Sequence, residues 1–204
     1  MLEKQALEGS LEASWKVWEY YAFSALDYDN ISIWEKILCE NECLSNSNGT
    51  YNYAIMLLSQ KTEETKRGWY WIYRCKRAGF KLDEHLDILY KELDSQFQAN
   101  APAMSTDVFR RMSTSELKHL AFFGNGEAVF YLYNEKMETQ GDETVSLLLD
   151  PNYDSPVYWL RIGAQNGSEK RKKQYIDLLK NSSSEYDNIR ANFLEKTLNY
   201  TASR

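Results

Sequence analysis

The chain has 204 residues, 43% of them apolar, a mean hydropathy of −0.61 and a formal net charge of −6. That length holds one sizeable core or a short repeat array, and no apolar run approaches the ~20 residues of a membrane-spanning helix. The acidic balance disfavours nucleic acid and anionic lipid as partners.

Only 9 Gly and 3 Pro punctuate the sequence. Scarce breakers favour a mainly helical protein over a sandwich or barrel. The polar, acidic start lacks the apolar stretch of a signal peptide, and three Cys (Cys39, Cys43, Cys75) make no disulfide framework. Both features point to a cytoplasmic protein.

In chain order, residues 9–21 open on an amphipathic helix with Leu11, Trp15, Trp18 and Ala22 on one stripe. Asp29 or Asn30 caps a second helix over 31–40, with Ile33, Trp34, Ile37 and Leu38 apolar and Asn41 at its end. Residues 45–50 form a turn around Gly49. A third helix covers 51–58 and a fourth covers 66–78, stopped by Gly79.

A long helix follows over 82–97, broken at Ala101-Pro102-Ala103. Residues 108–123 supply one or two more helices, interrupted near Ser113–Ser115. Gly124 opens another, and 156–167 holds the next. The irregular segment between them carries an apolar run, Val145 to Leu149, suited to docking. Residues 168–180 and a helix capped at 182–185 complete the chain, the latter reaching Tyr200.

One phrase recurs. Residues 67–79 read Arg-Gly-Trp-Tyr-Trp-Ile-Tyr-Arg-Cys-Lys-Arg-Ala-Gly, and 156–167 read Pro-Val-Tyr-Trp-Leu-Arg-Ile-Gly-Ala-Gln-Asn-Gly. Trp15, Val17 and Tyr21 align with Tyr51, Tyr53 and Leu57 at an offset of roughly 36 positions. Gly124, Glu127, Ala128, Phe130 and Leu132 repeat the pattern of Gly9, Glu12, Ala13, Trp15 and Val17. A period of this size signals stacked helical hairpins.

Each clean unit resembles the Sel-one-like repeats, relatives of the tetratricopeptide repeat. Gly9, Ala13, Trp15, Val17 and Tyr21 fit the first half of that unit, as do Gly124, Ala128, Phe130 and Leu132. Trp69, Tyr70, Trp71, Ile72 and Gly79 look like the second half, and so do Val157, Tyr158, Trp159, Leu160, Ala164 and Gly167. Ile37, Leu38, Cys75 and Lys76 depart from the family's small residues, which puts the curvature in question.

The resemblance implies an all-α, right-handed α-solenoid of about four to five antiparallel helical hairpins. A single array spans 1–204, with clean units near 6–41, 45–79 and 124–167. Residues 80–123 form a degenerate unit, and further helices cover 168–200. It also implies a binding scaffold without chemistry of its own. In bacteria, similar small cytosolic proteins include immunity proteins that sequester a secreted toxin.

The residues offer little chemistry. His85 and His119 have no triad-like companions, and Cys39, Cys43 and Cys75 fall short of a four-ligand zinc set without them. Lys170-Arg-Lys-Lys173 reads as a solvated helix face rather than a phosphate site. Neither cofactor, metal nor small-molecule substrate is expected.

Charge is more informative. Residues 1–60 hold nine acidic residues against three basic ones, Lys4, Lys16 and Lys36, while the remainder is balanced. An acidic end steers a basic partner, or serves as a solvated cap of the array. Aromatics in excess of the hairpin seam are Trp18, Tyr20, Tyr53, Trp69 and Tyr73. Together with Glu12, Glu19, Asp27 and Asp29 they are the candidate partner-binding residues. The expected partner is a protein, a toxin or effector domain. Alternatives are a regulatory adaptor, or an enzyme hidden in 80–124 and 140–155.

Overall fold

The computed structural model describes residues 1–45, 51, 54–55, 58, 63–77, 79–98, 106–122, 125–140, 147–165 and 169–202. Tyr53, Gly124, Gly167, Val145 and the Ala101-Pro102-Ala103 break lie outside the described residues. Among the described residues all regular structure is helical.

In chain order the helices are α1 (Leu2–Leu7), α2 (Leu11–Glu19), a π-helical turn (Tyr20–Ala25), α3 (Tyr28–Ser45) and α4 (Glu63–Arg77). They continue with α5 (Glu84–Gln98), α6 (Thr106–Phe109), α7 (Thr114–Phe122) and α8 (Gly126–Gln140). The last three are α9 (Pro156–Gln165), α10 (Glu169–Lys180) and α11 (Glu185–Ala202). None of them is long and apolar enough to cross a membrane.

Local chemistry sets most ends. Ser10 accepts from Ala13 N–H at 3.3 Å to start α2, and Ser113 and Glu116 form a reciprocal capping box at α7. Asn125 caps α8 and Ser155 caps α9 in the same way. Gly79 sits at φ +85, with Phe80 N–H on the Cys75 carbonyl and Gly79 N–H on that of Lys76. That left-handed closure ends α4 where the sequence places its stop.

Three sequence expectations shift. Gly9, at φ +91, closes the unforeseen helix α1, so α2 starts at Leu11. The cap of α3 is Asp27, whose carboxylate accepts Asn30 N–H at 3.1 Å, rather than Asp29 or Asn30. α3 also runs past Asn41 to Ser45, because Asn41 is buried by tertiary partners instead of ending the helix.

Successive helices pack on one another from α7 through α11, and α1, α2 and α3 form a second stack. The two ends meet: α1 packs against α11. α9 is central, with every residue from Pro156 to Ala164 buried. Its Val157, Leu160 and Ala164 face a core shared with Leu7, Val17, Trp34, Ile37, Tyr175 and Leu179. Its Tyr158, Trp159 and Ile162 face a second core with Tyr70, Ile72, Leu120, Phe122 and Leu132. The two recurring phrases are therefore α4 and α9, both interior helices, linked through Phe122, whose ring lies 5.7 Å from Tyr70 and 5.4 Å from Trp159. Leu147 and Leu148 dock as the sequence suggests, their N–H groups donating to the buried Asp187 carboxylate at 2.9 and 3.0 Å.

Candidate functional site

α3 turns a row of polar side chains inward. Glu40 accepts from Arg161 Nη2 of α9 at 3.1 Å, from Arg190 Nε of α11 at 3.0 Å and from Gln165 at 3.0 Å. Arg190 also donates to Asn41 at 2.8 Å and to the Leu7 carbonyl at 3.0 Å. Asn41 completes the set by donating to the Ala6 carbonyl and to Ser14. Burial would raise the Glu40 carboxyl, but Arg161 and Arg190 outweigh it and hold it down at about 2. Two guanidiniums on one carboxylate make this a fastener, since every oxygen of Glu40 is engaged.

One turn earlier, Lys36 donates to the carbonyls of Asp150 (2.7 Å) and Asn152 (3.2 Å), with its Nζ 4.4 Å from the Tyr153 ring centre. Burial, joined by Arg161, pushes its ammonium down to about 7. Beside it Glu35 takes Arg67 at 3.1 Å and the Tyr153 hydroxyl, while the Arg67 guanidinium stacks on that ring at 3.9 Å. Lys36, Asp150, Asn152, Ser155, Tyr158 and Arg161 border a narrow, partly open cleft. Its cation is held by two carbonyls and a ring, so the cleft is lined by a polar seam between α3 and α9.

The candidate partner-binding residues separate into two groups. Glu12, Glu19, Tyr20 and Asp29 are exposed on the first hairpin, and Asp27 is half-buried at the α3 cap. Glu12 pairs with Lys16 at 2.6 Å along the exposed face of α2, which lowers its pKa. Trp18 is half-buried, its ring in edge contact with Trp15 (5.7 Å) and Phe23 (5.9 Å). Trp69 and Tyr73 turn inward instead, packing in the core of α4, α7, α8 and α9, because that face of α4 is the one its neighbours cover. Tyr53 lies outside the described residues.

Sequence reasoning missed Phe23, Leu26 and Tyr28, which are 73%, 66% and 81% exposed. The signal was present: apolar residues continue through 20–28 past the end of the α2 stripe. The same hairpin thus offers solvent both carboxylates and large apolar groups. Comparison with protein-family models, with curated proteins and with solved structures returns no match.

Proposed function

We propose that this protein is a non-enzymatic protein-binding module, and in its sharpest form a bacterial immunity protein that occludes a cognate secreted toxin. The reading carries with it a right-handed stack of Sel-one-like hairpins acting in the cytoplasm. Neighbour-upon-neighbour packing from α7 to α11 and the placement of both recurring phrases on interior helices support stacked hairpins, while the contacts of α1 with α11 and of α3 with α9 and α11 close the array on itself. Cys39 and Cys75 are buried and outside any disulfide, which accords with a reducing compartment.

The observation that carries the binding reading is the division of charge. Inward-facing ionisable groups such as Glu40, Arg161 and Arg190 are consumed in fastening helices together. Exposed carboxylates occur along the whole chain, but those of the first hairpins, Glu8, Glu12, Glu19 and Asp29 among them, outnumber the basic residues nearby, so the net negative charge of the chain resides there. Such a face accelerates encounter with a basic protein and adds specificity.

The test is recovery of the tagged chain from its native cells at high salt, followed by production of each recovered protein alone and together with the chain. The expected result is one stoichiometric partner that is toxic alone and harmless in the pair. Several weakly held partners, none toxic, would replace this reading with that of a regulatory adaptor.

A further inference from the structure

The large apolar side chains exposed to solvent are unevenly placed. Among the described residues Met1, Leu2, Tyr20, Phe23, Leu26 and Tyr28 lie on the first hairpins, whereas Ile55, Ile88 and Val108 lie elsewhere. Glu3 ties that region together: its carboxylate accepts Tyr21 Oη at 2.9 Å and Tyr186 Oη at 2.6 Å. The start of α1, the π-helical turn and the start of α11 therefore converge there. Tyr20, Phe23, Leu26 and Tyr28 are each more than half exposed, and clustered exposed apolar groups often mark interaction surfaces.

The backbone beneath the patch is irregular. Six residues, Tyr20–Ala25, wind as a π-helical turn, and Leu26 follows at φ +53, the only described non-glycine residue with positive φ. A β-carbon in the left-handed region costs about 1 kcal/mol, and π turns recur at functional sites. The left-handed backbone of Leu26 is not offset by burial of its side chain, which is exposed.

Carboxylates edge the patch. Glu19 precedes the turn, Asp27 and Asp29 follow it, and Glu185 stands at the start of α11 beside Tyr186. Two lysines lie nearby in sequence, Lys4 on α1 and Lys16 on α2, the latter paired with Glu12. An apolar centre with an acidic rim is complementary to a concave apolar surface rimmed by Lys or Arg. The same rim opposes an anionic bilayer, and it would face itself in a dimer made through this end.

We propose that this acidic-rimmed tip is the primary docking surface and that its partner is a protein presenting an apolar pocket bordered by basic side chains. The proposal deepens the protein-binding reading above and rests on it. Phe23, Leu26 and Tyr28 enter the pocket, and Glu19, Asp27, Asp29 and Glu185 meet its rim.

The probe is a synthetic amphipathic helix with a Leu/Phe face flanked by Arg, titrated into the full chain while backbone amide NMR shifts are followed. A Glu-flanked version of the same peptide and vesicles of phosphatidylcholine with phosphatidylglycerol serve as comparisons. The expected result is salt-sensitive binding of the Arg peptide, at least about tenfold tighter than the Glu peptide, with shifts concentrated in residues 19–29. The double variant Phe23→Ser, Leu26→Asn should abolish it, while Ile88→Ser leaves it intact and neither variant melts below the parent. Shifts elsewhere, equal binding of the two peptides, or no binding would overturn the assignment. So would vesicle binding alone, or self-association that the double variant removes. Partner recovery by the double variant at wild-type strength would sink the tip while leaving the protein-binding function standing. Failure to recover any partner bears on that function and not on the peptide result.

Discussion

Glu40 of α3 and Arg190 of α11, 150 positions apart in the chain, form a buried ion pair in which Arg190 Nε donates to Oε2 at 3.0 Å. Arg161 meets the same carboxylate from α9. Three helices that are remote in sequence are thereby held by one side chain. Glu40→Ala leaves two guanidiniums buried without their counter-charge. The expected loss is about 3–5 kcal/mol in urea unfolding, far more than Glu12→Ala, whose pair with Lys16 is solvent-exposed.

Acid should dissolve the same junction. Glu40 is held at about 2 in the folded chain against an ordinary 4.5, so its contribution is complete above pH 4.5 and fades as pH falls toward 2. The stability at stake is of order 3 kcal/mol. Unfolding curves taken across that window should steepen their loss for the parent, and Glu40→Gln should show a flatter dependence.

Lys36 gives the same sign at higher pH, here because a burial penalty is relieved rather than because an ion pair is gained. Its folded ammonium loses its proton near pH 7, while the unfolded side chain keeps it to about 10.5. Between those values the unfolded state holds the extra proton, so this residue makes stability rise with pH, by at most about 1.4 kcal/mol per unit. Carbon-detected titration of labelled lysines should show one side chain changing near neutrality, and it should vanish in Lys36→Met.

Three glycines separate strain from space. A β-carbon at Gly9 would meet the Phe193 ring at 2.3 Å on a backbone already at φ +91, so Gly9→Ala should cost at least about 2 kcal/mol. Gly79 shares the positive φ but has nothing within 4 Å, and Gly79→Ala should cost only about 1 kcal/mol. Gly126 has neither obstacle, and Gly126→Ala should stabilise by about 0.5 kcal/mol. The order of the three melting temperatures checks the argument.

Leu26 tests whether the tip is shaped for something other than stability. Asn tolerates the left-handed region that Leu26 occupies, and the Leu side chain has little burial to lose. Leu26→Asn should raise stability by about 0.5–1 kcal/mol while weakening binding at the tip. A destabilised variant would mean that Leu26 contributes packing the exposed side chain does not reveal.

The sequence by itself determined most of the helices and several of their ends, though not α1 or the Asp27 cap of α3. Gly79, Ser113, Ser155 and Ser184 mark ends through bonds that span a few residues, and the 67–79 and 156–167 phrases become the buried α4 and α9. Those features are local, so periodicity and capping chemistry suffice to read them. Tertiary structure alone decided what α3 does with Glu35, Lys36, Glu40 and Asn41, which look like a solvated stripe until α9 and α11 arrive from over a hundred positions away. It also turned Tyr73 and Trp69 inward and left Phe23, Leu26 and Tyr28 outside. A helix has a face only relative to what covers it, and the covering helices here come from the other end of the chain.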